Sequence, residues 1–454
     1  MSSKELQANK MGVMPVGKLL ANMALPVIIS MFVQALYNVV DSIYVSQVSE
    51  SAVTALSLAF PVQNVQVGFS VGIGVGINSL LSKKLGEGDR EGANRAAGNG
   101  LVLMLISVSL FMIFGAFFTR PYFEIQSDVA ETVEGGILYT RICTLLSIGM
   151  FVQIFAEKLL QSTGRTVYTM IIQGTGAITN IILDPIFIHG WLGLPAMGIA
   201  GAAVATVLGQ AVGAGVGVYF ALRHNPEVKI TLESLVPHKP TMNAILAVGV
   251  PGIVMNCIGA VMNFGMNQIL QGFAETATGV FGVYFKLQSF FFMPLFGINS
   301  AAISIIAYNY GAQRPDRIMH TVKLACGTAL GIMAAGLVIF QLAPDLLLGM
   351  FNPSPMFLEI GRVALRTISW SFPAAAFGVV LGAVFQALGN GIYTTVVSLC
   401  RQLCVLLPVA YLLSLSGNIH LVWLSFLIAE VASAAVTVYY FRRIYKKKIK
   451  PMLA

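Results

Sequence analysis

The sequence predicts an all-α polytopic membrane protein: twelve transmembrane helices in two six-helix lobes related by a parallel pseudo-two-fold repeat. Three observations predict it. Hydrophobic residues make up 56% of the 454-residue chain and charged residues only 10%, with a mean hydropathy of +0.80. A water-facing surface is usually about a quarter charged, so this one must face lipid. Twelve apolar stretches can be marked, each near the roughly 20 residues that a helix needs to cross a bilayer. A shift of 225 residues aligns Pro26 with Pro251, Asn38 with Asn263, Gly86 with Gly311, Arg141 with Arg366, Gly164 with Gly389 and Tyr168 with Tyr393, at matching places in the span pattern.

The stretches lie near 19–46, 54–82, 97–118, 136–160, 168–189, 197–222, 244–271, 278–307, 322–343, 360–385, 392–415 and 419–441. Residues 1–18 are polar and mixed in charge, so the first span is expected to be retained rather than removed as a leader. An even number of spans puts both termini on one side. Of the 27 Lys and Arg, twenty-one fall on that side, four opposite (Arg120, Arg141, Arg362, Arg366) and two within spans (Lys286, Arg401). By the positive-inside rule both termini are cytoplasmic and the chain sits in the plasma (cytoplasmic) membrane, the inner membrane of a bacterium. The longest polar stretch between central spans divides the chain into an N-terminal lobe (1–222), a linker (223–243) and a C-terminal lobe (244–454) with a basic tail. Six spans per half give both halves the same orientation.

Polar loops repeat as well. SKKLGEGDREGANRA after the second span answers YNYGAQRPDRIMH after the eighth, each read as a Gly-terminated helix, a polar turn and a short amphipathic piece. With QSTGRT after span four, NIILDP in span five and IAYNYGA after span eight, the whole chain resembles the MATE (multidrug and toxic compound extrusion) family of cation-coupled antiporters. NIILDP together with an aspartate in the first span is the most specific part. The YNYGA form and the cationic residue in span eight tilt the resemblance toward the MepA-like bacterial branch. It implies efflux of organic cations in exchange for protons or sodium, with V-shaped lobes opening alternately to either side and the coupling site in the N-terminal lobe. The family's carboxylates match Asp41 and Asp184, its asparagine Asn180, and its span-four tyrosine Tyr139. Where the family often supplies a span-six hydroxyl, this chain has Ala202 and Ala203, with Thr206 a turn further on, a departure that leans toward protons.

The residues support a site there independently. A carboxylate in the hydrocarbon costs at least a few kcal/mol, so Asp41 and Asp184 are functional candidates by default. Both lie toward the outer ends of outward-running spans, at similar depth. Asn180 precedes Asp184 by one helical turn and shares its face. Two carboxylates in a low dielectric cannot both stay charged cheaply, so the group suits a proton or an alkali cation such as Na⁺ at Asp41, Asp184 and Asn180. The alternative is local hydrogen bonding to hydroxyls such as Ser42. Pro26 and Pro185 free the carbonyls of Asn22 and Ile181, which permits either bending or a fixed kink. The second half places Met266 and Val409 where the acids stand, so coupling is expected to be asymmetric.

Cavity candidates are Gln34, Glu157, Lys286, Phe155, Phe290 and Met293, the apolar ones chosen for nearness to charged positions. Lys286 could also serve as a counter-ion or snorkel to the surface. Arg401 and Glu430, at similar depth in spans eleven and twelve, are read as a structural ion pair. The five cysteines lie in apolar stretches without a CxxC and are read as packing residues. The glycine strings at 68–76 and 209–217 read as close helix contacts. GVMPVGKL (12–19) ends in Leu where a phosphate loop needs Ser or Thr, so no nucleotide is expected and an ion gradient is the energy source. No cofactor beyond the coupling ion is expected. The basic tail points to anionic lipid rather than nucleic acid, and the chain is read as a monomer handling small cationic amphipathic substrates. The nearest rival, a flippase of lipid-linked oligosaccharides, needs a more cationic cavity than Lys286 and Arg401 supply. A membrane enzyme such as a prenyl-diphosphate transferase needs clustered aspartates, which this chain lacks.

Overall fold

In the computed structural model, residues 9–351 and 353–453 are described; residues 1–8, which belong to the expected polar N-terminal stretch, lie outside the described residues. Among the described residues, ten continuous helices are long and apolar enough to cross a membrane, and two bent pairs complete twelve. They are α1 (Val16–Ser46), α2 (Glu50–Gly86), α3 (Arg90–Phe117), α4 (Ala130–Leu145 with Ile148–Ser162), α5 (Thr166–His189) and α6 (Ile199–Arg223). The second set is α7 (Lys239–Gln271), α8 (Glu275–Gly311), α9 (Pro315–Leu342), α10 (Pro355–Ser369 with Phe372–Ala387), α11 (Gly391–Ser414) and α12 (Leu424–Ile444).

The bends, 46° in α4 and 49° in α10, are features the sequence did not announce. The first break, Leu146–Ser147, contains neither Gly nor Pro, while the second, Trp370–Ser371, is followed by Pro373 in the first turn of the next helix. α11 carries a π-helical stretch, Cys400–Leu406, just before Pro408; extra-wide turns absorb the hydrogen bond that a proline removes. Pro26 behaves differently, since α1 runs unbroken through it. The Asn22 carbonyl it frees accepts from Thr166 Oγ1 of α5 at 3.3 Å, so the lost helix bond is replaced by an interhelical one.

The repeated loops have one construction. α2 ends at Gly86, and Gly88 turns the chain with φ +73°; α8 ends at Gly311, and Gln313, 225 positions later, does the same with φ +54°. The amphipathic piece expected after each turn is the first part of α3 and of α9. Asp89 caps α3: its Oδ1 accepts from the Gly92 amide at 2.8 Å and its Oδ2 from Lys84 Nζ at 2.9 Å. The Gly92 amide, then the Lys84 ammonium, hold its carboxyl below the usual carboxylate range. Removing this cap, as in Asp89→Ala, should cost about 1 kcal/mol. Because the folded pKa is depressed, the contribution is full above the unfolded value near 4 and is lost as pH falls through the folded one. Melting curves of both proteins should therefore differ at pH 7 and converge on acidification; a gap independent of pH would remove the charge from the explanation.

Within the first six spans, α5 packs along both α1 and α6, and α4 lies against α6 and α2. The two halves meet where α1 and α2 cross α7 and α8. At the ends of α2 and α8 on the side of the termini, a Cβ on Gly86 would overlap the Tyr308 carbonyl and one on Gly311 would overlap the Lys83 carbonyl. Only glycine allows that approach. Side-chain hydrogen bonds also join the helices of the two halves, among them Ser304 Oγ to Asn78 Oδ1 (3.0 Å), Ser79 Oγ to the Gln386 carbonyl (2.7 Å) and Ser300 Oγ to Gln161 Oε1 (3.0 Å).

Two further segments cover the same side. The carbonyls of Met11 and Met14 accept from Arg317 at 2.9 and 2.7 Å, while Asn9 Nδ2 donates to the Thr163 carbonyl at 3.3 Å and to Glu227 Oε2 of the linker at 2.6 Å, so the segment before α1 spans both halves. The stretch between α6 and α7 is docked rather than loose. Buried Asn99 of α3 donates to the carbonyls of Ser234 and Val236 at 3.0 and 3.1 Å and accepts from the His238 amide at 2.7 Å.

Candidate functional site

α5 and α6 approach closely because glycines face each other: a Cβ on Gly209 would stand 2.8 Å from the Gly176 carbonyl. That closeness lets Thr206 of α6 reach Asn180 of α5. Asn180 Nδ2 lies 3.4 Å from Thr206 Oγ1 and 3.4 Å from Asp184 Oδ1 one turn on. Asp184 is fully buried, and Asp41 of α1 is only 9% exposed. The packing of α1 on α5 brings Asp41 within electrostatic reach of Asp184. Ser42 does not serve the carboxylate, because its hydroxyl donates to the Asn38 carbonyl of its own helix at 2.8 Å. Asp41 Oδ1, Asp184 Oδ2 and Asn180 Oδ1 have no hydrogen-bond partner among the described residues.

Three buried oxygens that only accept, without a donor, are an arrangement that attracts a proton or a hard cation. Tyr139 of α4 is also buried, and its hydroxyl accepts from Gln63 Nε2 at 2.9 Å. It stands near Asp41 together with Cys143 and with Tyr37 of α1. Beside this group, on the side toward the termini, lies a cavity of about 210 Å³ among α1, α2, α4, α5 and α6. Gln34, Glu157, Asn180 and Thr206 line it, as do Gln153, Gln173 and Gln210. Gln153 Nε2 donates both to Gln173 Oε1 (2.8 Å) and to Glu157 Oε1 (3.1 Å). The shared residues Asn180 and Thr206 join the cavity to the carboxylates.

A family model described as MatE matches residues 26–186 and again residues 251–412. The chain belongs to the MatE family. The two matches begin 225 residues apart, the shift that aligns the halves of the sequence. The chain is 23% identical to the FAD transporter of Shewanella oneidensis, over 88% of each chain. It is 24% identical to the multidrug export protein MepA of Staphylococcus saprophyticus, over 92% of each. A solved structure described as MATE in the bent conformation superposes with a TM-score of 0.91 at 25% identity, covering 99% of each chain. As a MatE protein the chain is a transporter and not an enzyme.

In this MatE chain not every sequence-chosen residue faces the cavity. Phe155 does not: it is 5% exposed and packed with Phe151 and Leu159 in an apolar cluster. Residues two apart on a helix point about 200° apart, so nearness to Glu157 in sequence put it on the opposite face. Lys286 and Phe290 stand on the exposed face of α8, Phe290 62% exposed, and Met293 is half-buried; none of the three lines the cavity. Arg401 Nη1 and Glu430 Oε1 are 3.1 Å apart, with Ser433 donating to the other carboxylate oxygen at 3.3 Å. Gln34 lines the cavity as expected, whereas Gln153, Gln161, Gln173 and Gln210 of the cavity and Gln63 are residues that the sequence reading does not single out. Each is an amide within an apolar run, and Gln153, Glu157 and Gln161 recur at four-residue spacing on one face, which is the signal that would have found them.

Proposed function

We propose that the protein is a multidrug efflux antiporter: a proton or Na⁺ entering at Asp41, Asp184 and Asn180 drives release of organic cations from the adjoining cavity. The observation that carries this reading is the set of three buried oxygens without a donor, joined through Asn180 and Thr206 to a cavity holding Glu157. The name of the MepA relative supports export of varied compounds. The lobes 1–222 and 244–454, joined by 223–243, rock against each other on the seam, and the positive charge on the side of the termini supports placing that side in the cytoplasm. A second reading is suggested by the FAD transporter relative. Carboxamides around the cavity, among them Gln34, Gln153, Gln173 and Gln210, offer the donors and acceptors that the edge of a flavin ring requires.

Efflux of ethidium from proteoliposomes, with pH and sodium gradients imposed separately, tests the main reading. Acceleration by one gradient is expected, and it names the ion. Release of FAD in the same vesicles without any movement of ethidium would establish the second reading in place of the first. Movement of neither would return the lipid-linked oligosaccharide flippase to the front.

A further inference from the structure

Glu157 and Lys158 are neighbours in α4 and both line the cavity, yet each is hydrogen-bonded to a different glutamine. Glu157 is held from the cavity side by Gln153. Lys158 turns the other way: its Nζ donates to Gln161 Oε1 at 3.0 Å, and the same oxygen accepts from Ser300 Oγ of α8 at 3.0 Å. Ser300 belongs to the other half of the chain. Of the side-chain hydrogen bonds between the halves among the described residues, only this one ends on a residue lining the cavity. The path of Lys158 is cut for it. A Cβ on Gly74 of α2 would stand 2.8 Å from Lys158 Cγ, so the glycine leaves the notch through which the stem runs.

We propose that Lys158 is a positioning residue that ties occupancy of the cavity to closure of the seam, acting through Gln161 on Ser300. This rests on the reading of the cavity as the substrate site. A cation arriving beside Glu157 brings positive charge next to the Lys158 ammonium. The repulsion loosens Lys158 from Gln161, and Gln161 then loses the charged donor that fixes its oxygen toward Ser300. The hydrogen bond between the halves weakens while the substrate is held. Without Lys158, substrate still binds, but its arrival no longer reaches α8.

The test uses the full-length protein with its five cysteines replaced and spin labels at Glu91→Cys and His320→Cys, at exposed positions in α3 and α9 on the side of the termini. Ethidium affinity, the distance between labels and transport kinetics are measured together. In the parent, ethidium is expected to shift the distance distribution. In Lys158→Met, ethidium should bind at least as tightly, the repelling charge being gone, yet without shifting the distribution, and Vmax should fall about tenfold. Lys158→Arg should restore part of both. Ser300→Ala cuts the far end of the link without touching the cavity, and it should give the same loss of response. If Lys158→Met does not fold, Ser300→Ala decides alone. A full ethidium-induced shift in either variant overturns the proposal. So does loss of binding in Lys158→Met, which would make Lys158 a substrate contact. Failure of the parent to bind any cation would instead overturn the reading of the cavity.

Discussion

Asp41→Asn and Asp184→Asn are each expected to reduce gradient-driven ethidium efflux about a hundredfold, to the background of empty vesicles, while leaving the protein folded. The size follows from the lack of any substitute. Asn180 and Thr206 are neutral, and the second half offers Met266 and Val409 at the matching positions, Met266 buried in the apolar core. An amide keeps the shape of the carboxyl but cannot take up a proton or supply charge to a cation. Folding should not suffer, because Asp41 Oδ1 and Asp184 Oδ2 accept no hydrogen bond that the variant would lose. Ethidium binding to the detergent-solubilised variants should persist, since the cavity lies beside the carboxylates. Efflux that continues in both variants with its ion dependence intact would place coupling elsewhere, with Glu157 the next acid to replace.

Gly86→Ala is expected to have the second largest effect, on stability. The added Cβ would overlap the Tyr308 carbonyl oxygen, which is backbone and cannot rotate away. α2 and α8 must then separate at their crossing, and overpacking of this kind costs about 1–3 kcal/mol or more. Gly311→Ala should behave alike because it meets the Lys83 carbonyl. Gly327→Ala in α9 is the control: a Cβ there meets nothing within 4 Å, and alanine favours helix over glycine by up to about 1 kcal/mol. Thermal melting in detergent should rank Gly327→Ala at or above wild type and both crossing variants well below it. Crossing variants that melt with wild type would mean that the helices do not meet there.

Much of this fold was legible because the bilayer imposes a simple rule on sequence. Apolar runs of span length, a charge-rich side and punctuation by Gly and Pro brought out all twelve spans and the repeat. The buried acids were legible for the same reason, a charge in an apolar run being conspicuous. What escaped was set by tertiary contact. The break at Leu146–Ser147 contains no proline or glycine, so that bend comes from how the helices pack, while Pro373 just after Trp370–Ser371 removes a bond to Ser369 and allows the second. Phe155 was misassigned because adjacency in sequence stood in for direction around the helix. The cavity is walled by glutamines, whose amides are weaker signals than charges, and its place among five helices exists only once they are assembled. The role of Lys158 depends on Ser300, 142 positions away, and on a glycine in a third helix.

The seam repeats itself at the level of single atoms. Gly86 meets the Tyr308 carbonyl as Gly311 meets that of Lys83, and Gly72 meets Ile253 as Gly297 meets Ile28, every residue having its counterpart 225 positions away. Such reciprocity is the signature of an isologous dimer interface, one surface patch pairing with its own copy. A half-length ancestor bearing this patch could bury it only against a second molecule of itself, so fusing two copies would add a tether without redesigning the contact. The frame is indifferent to which half is which, while the side chains are not: Asp41 and Asp184 in one half stand opposite Met266 and Val409 in the other. The chain is thus a pair of matched halves of which only the first carries the buried aspartates.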